Sequence, residues 1–302
     1  MRPGSFTSRL LWTLWALVPV GLLAWHFGPG QAALRRDRAA EIVEAAAVLE
    51  AAAIELQERA YAAHLAAIDA RAAAFASDDP SLRAAAIEAG EQEDASSDAA
   101  ETAWAETAAA LDEAVALLGP DPETPGGAVA DEDGVQALRL ARARALVRAG
   151  EIGQGANELE DLLLELGESG DREPPLALAA REELATAYYY GARLMRLAGR
   201  PGPEWRKIAA LARQNFRYLA ERSAEIGSDP ERVADHERNT ELVLNLEQSS
   251  REELAFLARP RQSPTGAGEG LGRELRPGRR GRNQGDQPAR GAGMNGEIGA
   301  GW

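Results

Sequence analysis

The stretch that decides the fold is residues 33–76, ALRRDRAAEIVEAAAVLEAAAIELQERAYAAHLAAIDARAAAFA. It holds neither Pro nor Gly and is dominated by Ala, Leu, Glu and Arg, the residues that lose least on entering a helix. Its larger apolar residues recur in sevens: Ile42, Leu49 and Leu56, then Ile54, Tyr61, Ile68 and Phe75, with one shift of the stripe midway. Alanine fills most neighbouring positions, so a partner helix can approach closely. This spacing admits an internal antiparallel hairpin or a coiled coil between chains. The hairpin is favoured because a stop and a matching helix follow. Ser77-Asp78-Asp79-Pro80 supplies an N-cap and a first-turn proline. A second helix with a break near residues 90–97 (GEQEDASS) resumes at Trp104, Ala108, Leu111, Val115 and Leu118.

Outward from this arm the composition divides the chain. The predicted segments are 1–31, an apolar anchor or signal peptide; 32–118, the acidic Ala-rich arm; 119–133, a Pro/Gly/acid-rich linker; 134–258, a helical domain; and 259–302, a disordered basic tail rich in Gly, Arg and Pro. No segment alternates polar and apolar with period two, so the expected fold class is all-α. The net charge is −15 over 302 residues, and residues 41–133 carry 22 acidic residues against three arginines. Such a body repels nucleic acid. The tail's basic cluster, residues 276–282, reads either as a contact for an acidic protein surface, the chain's own acidic arm or anionic lipid, or as a solvated linker with no partner.

Residues 10–27, LLWTLWALVPVGLLAWHF, contain no Asp, Glu, Lys or Arg. As a helix they span roughly 27 Å, near the thickness of a hydrocarbon core. The expectation is a single-pass membrane protein, with the amino terminus cytoplasmic and the body periplasmic or otherwise extracytoplasmic; a cleaved signal peptide is the other reading.

There is no cysteine, so disulfides, zinc–thiolate sites and thiol catalysis are excluded. The three histidines are scattered: His26 in the apolar segment, His64 on the arm, read as an ordinary surface or core residue, and His236 between Asp235 and Glu237 on what reads as an exposed helix. No H-E-x-x-H, G-x-S-x-G, P-loop or dinucleotide glycine pattern occurs. The expectation is no enzyme, no cofactor, no metal and no small-molecule substrate.

Within residues 134–258 there is internal repetition. Ala143, Leu146 and Gly150 are spaced as Ala192, Met195 and Gly199. In the helices that follow, Gly155, Leu159 and Leu162 are spaced as Ala212, Phe216 and Leu219. Over residues 136–225 this resembles the tetratricopeptide (TPR) helical hairpin, although the two copies lie 49 residues apart, not 34, and Leu162 and Leu219 stand where a small residue is usual. A plain helical bundle is the other reading. The resemblance implies a protein-interaction scaffold or assembly factor. Its predicted partner-binding residues are Tyr188, Tyr189, Tyr190, Arg193, Arg196 and Arg213, on the argument that three consecutive tyrosines cannot all face one core. The rival is an envelope spacer that self-associates through the arm.

Overall fold

The computed structural model describes residues 29–119, 132–168, 175–250 and 253–256, together with eight scattered positions between 15 and 25. The linker residues 120–131 and the tail beyond 256 lie outside the described residues, as do the readings made of them. Among the described residues the chain is all-α, without a strand. Seven helices follow in order: α1 (Pro29–Ala76), α2 (Pro80–Leu118), α3 (Glu132–Arg148), α4 (Ile152–Glu168), α5 (Pro175–Leu197), α6 (Gly202–Glu225) and α7 (Pro230–Gln248), with a final 3₁₀ turn, Glu253–Phe256. Each packs chiefly on its neighbours in sequence.

The expectation of a single-pass membrane protein, and the orientation built on it, is corrected. Among the described residues no helix is long and apolar enough to cross a membrane. The reason lies in α1, the one helix of sufficient length near the amino terminus: it carries Arg35, Arg36, Asp37, Arg38, Glu41 and Glu44 within its first turns and further charges along its length. Residues 10–14 and six positions of 16–28 lie outside the described residues.

The helix boundaries follow local chemistry. Asp79 accepts a bond from the Ser81 amide at 2.8 Å and Asp229 one from the Glu231 amide at 3.1 Å, each just before a first-turn proline. Ser250 and Glu253 form a reciprocal capping box, at 2.7 and 3.2 Å. Gly150, Gly199 and Gly227 end α3, α5 and α6 with φ of +87°, +73° and +69°. This left-handed geometry lets the amide of the following residue close back onto a carbonyl of the last turn, as Glu151 does to Leu146 and Arg200 to Met195.

α1 and α2 form the expected antiparallel hairpin, but its seam is not the stripe of large residues. Ala39, Ala46, Ala53, Ala60 and Ala67, in strict sevens, are buried, with Val43 and His64 on the adjoining row. Ile54, Tyr61, Ile68 and Phe75 each lie one residue beyond a seam position, on the rim. An alanine seam lets two backbones approach as no leucine seam does, so the large side chains are displaced to the flanks. α2 runs unbroken through residues 90–97, where a break was expected. Within it, Ser96 returns its hydroxyl to the Gln92 carbonyl at 2.7 Å.

Two apolar cores meet on α3. Leu138, Ala141 and Ala145 join the core of the hairpin, with Val43, Trp104 and Leu111. Leu140, Ala143 and Val147, on the other face, join the core of α4–α7, with Leu159, Leu162, Tyr189 and Phe216. The α3–α4 crossing is close because Gly155 sits over Ala143. A Cβ there would stand 2.8 Å from the Ala143 carbonyl and 2.7 Å from Val147 Cγ2. Gly155→Ala should destabilise by about 1–3 kcal/mol through overpacking against backbone. Gly153→Ala, in the same first turn with nothing within 4 Å, should be neutral or mildly stabilising. Thermal unfolding of the two variants, side by side, checks this; equal effects would refute the close crossing.

Candidate functional site

The residues singled out for partner binding converge on α5–α7, and the structure occupies most of them internally. Tyr189 is fully buried, edge-on to Tyr190 with ring centroids 5.7 Å apart. Tyr190 is also buried. Tyr188 is half-buried, and its hydroxyl donates to the Glu160 carboxylate of α4. Burial and that bond push its phenol well above the ordinary value. Arg193, itself buried, donates to the Leu254 carbonyl at 2.6 Å. Arg196 donates to the Leu246 and Ser249 carbonyls, stacking over Trp205 at 4.7 Å. Arg213 pairs with Glu247. These three arginines therefore hold the last turn of α7 and the 3₁₀ turn after it, where a helix leaves carbonyls without partners. Only the Tyr188 ring keeps an outward edge.

His236, read as exposed, is buried to 1 %. It begins the inward stripe of α7 that continues through Asn239, Val243 and Leu246. Its flanking acids misled the reading, since they sit on other faces of the helix. Burial, with Arg232 nearby, pushes its pKa down to about 4, and Asp235 opposes this only in part.

The face that remains open is on the arm. α3 runs antiparallel to α2: Arg142 pairs with Asp112, and the Arg148 guanidinium lies over the Trp104 ring at 5.1 Å. α3 then turns back at Gly150. From Trp104 to Pro80, α2 continues with no third helix over it among the described residues, and α1 runs beside it from Gln57 to Ala76. At about 1.5 Å per residue this is an arm of roughly 35 Å.

The arm is pinned by polar rungs. Trp104 Nε1 donates to Gln57 Oε1 at 3.0 Å. Glu93 takes His64 on one oxygen and Arg71 on the other, with His64 buried in the seam. On the side where α3 lies further down, α1 presents Ile54, half-buried Tyr61, half-buried Ile68 and Phe75, the last 95 % exposed. α2 presents Ile87, 65 % exposed, with Glu91, Asp94, Asp98 and Glu101. Burial and the neighbouring Asp98 raise the carboxyl of Glu101 above its ordinary value. Among the described residues, none of these four carboxylates forms an ion pair, and no group of three or more His, Asp or Glu side chains could hold a metal ion. The second heptad stripe in the sequence, Ile54, Tyr61, Ile68 and Phe75, is the signal for this face.

Compared with known protein families, with curated proteins and with solved structures, the chain matches none.

Two predictions follow from these placements. Tyr189→Ala should cost about 3–5 kcal/mol and lower the thermal midpoint by several degrees, and Tyr188→Ala clearly less; equal losses would contradict the placement of the rings. For His236, the folded pKa of about 4 lies below the unfolded 6.5. The unfolded chain therefore takes up the proton first as pH falls. The stability tied to the neutral ring is present in full above pH 6.5 and is lost progressively towards pH 4, by about 3 kcal/mol. Denaturant titrations at pH 7.5 and 4.5 should show a smaller loss for His236→Leu than for the parent chain. An unchanged pH slope in that variant would refute the buried neutral ring.

Proposed function

We propose that the chain is a helical scaffold or assembly factor that holds another protein by helix–helix packing, with the stacked helices α3–α7 as its TPR-like body and the arm as its docking element. The observation that carries this reading is the arm's open face. The hairpin extends about 35 Å past the end of α3, and there it keeps Phe75 and Ile87 in solvent. A hairpin built only for its own stability has no use for large apolar groups on its rim; patches of this kind mark interaction surfaces. The charges and the tyrosines do not assemble a reacting centre, so the reading is one of binding and not of catalysis.

The spacer alternative, self-association through the Ala-rich arm, has less support, because the arm's alanine seam is already filled by α2. A copy-to-copy contact would have to use the rim, where both surfaces carry unneutralised carboxylates.

The test is a photo-crosslinking residue placed at Phe75, at Ile87 and, as a control, at exposed Ile226 on the body, in the full chain in its own cells. The reading expects a discrete adduct to a different protein from the arm positions and none from Ile226. It also expects loss of the Phe75 adduct when the arm is shortened in register by removing residues 61–74 and 83–96. Adducts only between copies of the chain would establish the spacer, and adducts equally at all three positions would remove the arm from the reading.

A further inference from the structure

The scaffold reading leaves the partner's chemistry open, and the way α3 lies on α2 narrows it. α3 is a short helix carrying Arg139, Arg142, Arg144 and Arg148 among Leu, Ala and Val. Its apolar positions Leu138, Ala141 and Ala145 enter the hairpin's core. Its arginines reach the rims: Arg142 to Asp112 of α2, and Arg144 to Glu50 of α1 at 2.7 Å. The lower half of this face is therefore a site already filled, by a basic helix, within the molecule.

Among the described residues no helix lies on the upper half, where the acidic row of Asp112 continues and acid also replaces the small residue of a neighbouring row. Asp98 and Glu91 stand on the heptad row of Asp112, and Glu101 and Asp94 on the row of Ala108, which is buried near the foot of α3. Across from them, Ile54, Tyr61, Ile68 and Phe75 form one row of α1, a continuous apolar rail. Residues 54–101 hold eleven acidic residues and three arginines. An apolar rail beside an acidic rim selects against an acidic or neutral helix and against a second arm of the same charge.

Resting on the scaffold reading, we propose that the upper arm binds a basic amphipathic α-helix of another protein, laid along α2 as a continuation of α3, its apolar stripe on Ile54, Ile68, Phe75 and Ile87 and its arginines or lysines on Glu91, Asp94, Asp98 and Glu101. This is helix-in-groove recognition, with anchors at heptad spacing. The charge pairs fix register and partner choice, and the apolar stripe supplies most of the affinity. A cation beside Glu101 also relieves the crowding of that carboxyl by Asp98.

The experiment uses the full chain and three fluorescein-labelled synthetic probes read by anisotropy. One is a three-heptad helix with a Leu/Ala stripe and Arg on its flanks. The second is the same helix with Glu replacing every Arg. The third is the chain's own basic segment, residues 259–302. The proposal expects saturable binding of the Arg helix, at least tenfold tighter than the Glu helix and weakening as salt rises. It expects that binding to fall at least tenfold in Phe75→Ser and in the triple variant Asp94→Lys, Asp98→Lys, Glu101→Lys. These positions are on the surface, and circular dichroism and the thermal midpoint confirm that the variants stay folded.

Equal binding of the Arg and Glu helices would overturn the charge selection while leaving the scaffold reading in place. Tight binding of the 259–302 probe, lost in the same variants, would make the chain's own tail the occupant. No binding of any probe, with the chain sedimenting as a dimer crosslinked arm to arm, would give the face to a second copy. No binding by a monomeric chain would overturn the proposal, and the crosslinking at Phe75 and Ile87 then decides separately whether the scaffold reading survives.

Discussion

The architecture depends on the arginines of α3. This helix is buried on two opposite faces, and such a helix has no solvent side on which to place charge. Its four arginines leave through the edges, and between them they find acid on four neighbouring helices: Arg144 on α1, Arg142 on α2 and α4, Arg139 on α4, and Arg148 on α5 at 3.7 Å from Glu183. Burial lowers Arg148 from its ordinary value, and Glu183 works against that shift. Partly buried pairs of this kind contribute little net stability, because desolvation offsets much of the attraction. Removing one partner is costly, since it strands a charge. Their effect is therefore to specify: α3 fits in one rotation and one register, and the hairpin and the body are fixed to each other through it.

The arm follows the opposite rule. Its alanine seam brings two backbones together but buries little apolar area per residue. What the seam lacks in bulk it regains in rungs that only one register satisfies: Gln57 with Trp104, and His64 and Arg71 sharing Glu93. The foot of the hairpin is thick, with Trp104, Leu111 and Leu118 under α3. The upper part is thin, with Ala60, Ala67, Gly90 and Ser97 at its centre.

These differences explain what could be read in the sequence. Caps and turns were legible because their chemistry is local: Asp79-Pro80, Asp229-Pro230, Ser250 with Glu253, and the glycines that reverse α3 and α5. The hairpin was legible from helix propensity and the stop at residues 77–80. The phase of its seam was not. An alanine core and a flanking stripe share the same period of seven, and large residues draw the eye to the wrong row. His236 was misread for a related reason, since acids adjacent in sequence lie about 100° away on the helix. The tyrosine run was half legible. Three consecutive rings cannot face one core, and Tyr188 does turn outward. The arginines expected to serve a partner there instead close α7, because the carbonyls of a helix end attract guanidinium groups as an acidic peptide would.

A thin arm on a thick foot bears on how docking would be felt. With few buried apolar residues in 57–100, the upper arm should open at lower free energy than the foot. A third helix laid on it would add apolar contact where the hairpin has least, and any ligand that binds only the closed form stabilises it by mass action. The gain would concentrate in the upper arm and fade towards the foot, where Trp104 and α3 already supply what the partner brings. The same face thus serves two ends. Near the foot it is filled by the chain's own basic helix and fixes the fold; beyond Trp104 the acidic row of Asp112 continues through Asp98 and Glu91 beside the apolar rail and, among the described residues, no helix lies on it, which is the arrangement the proposal gives to another chain.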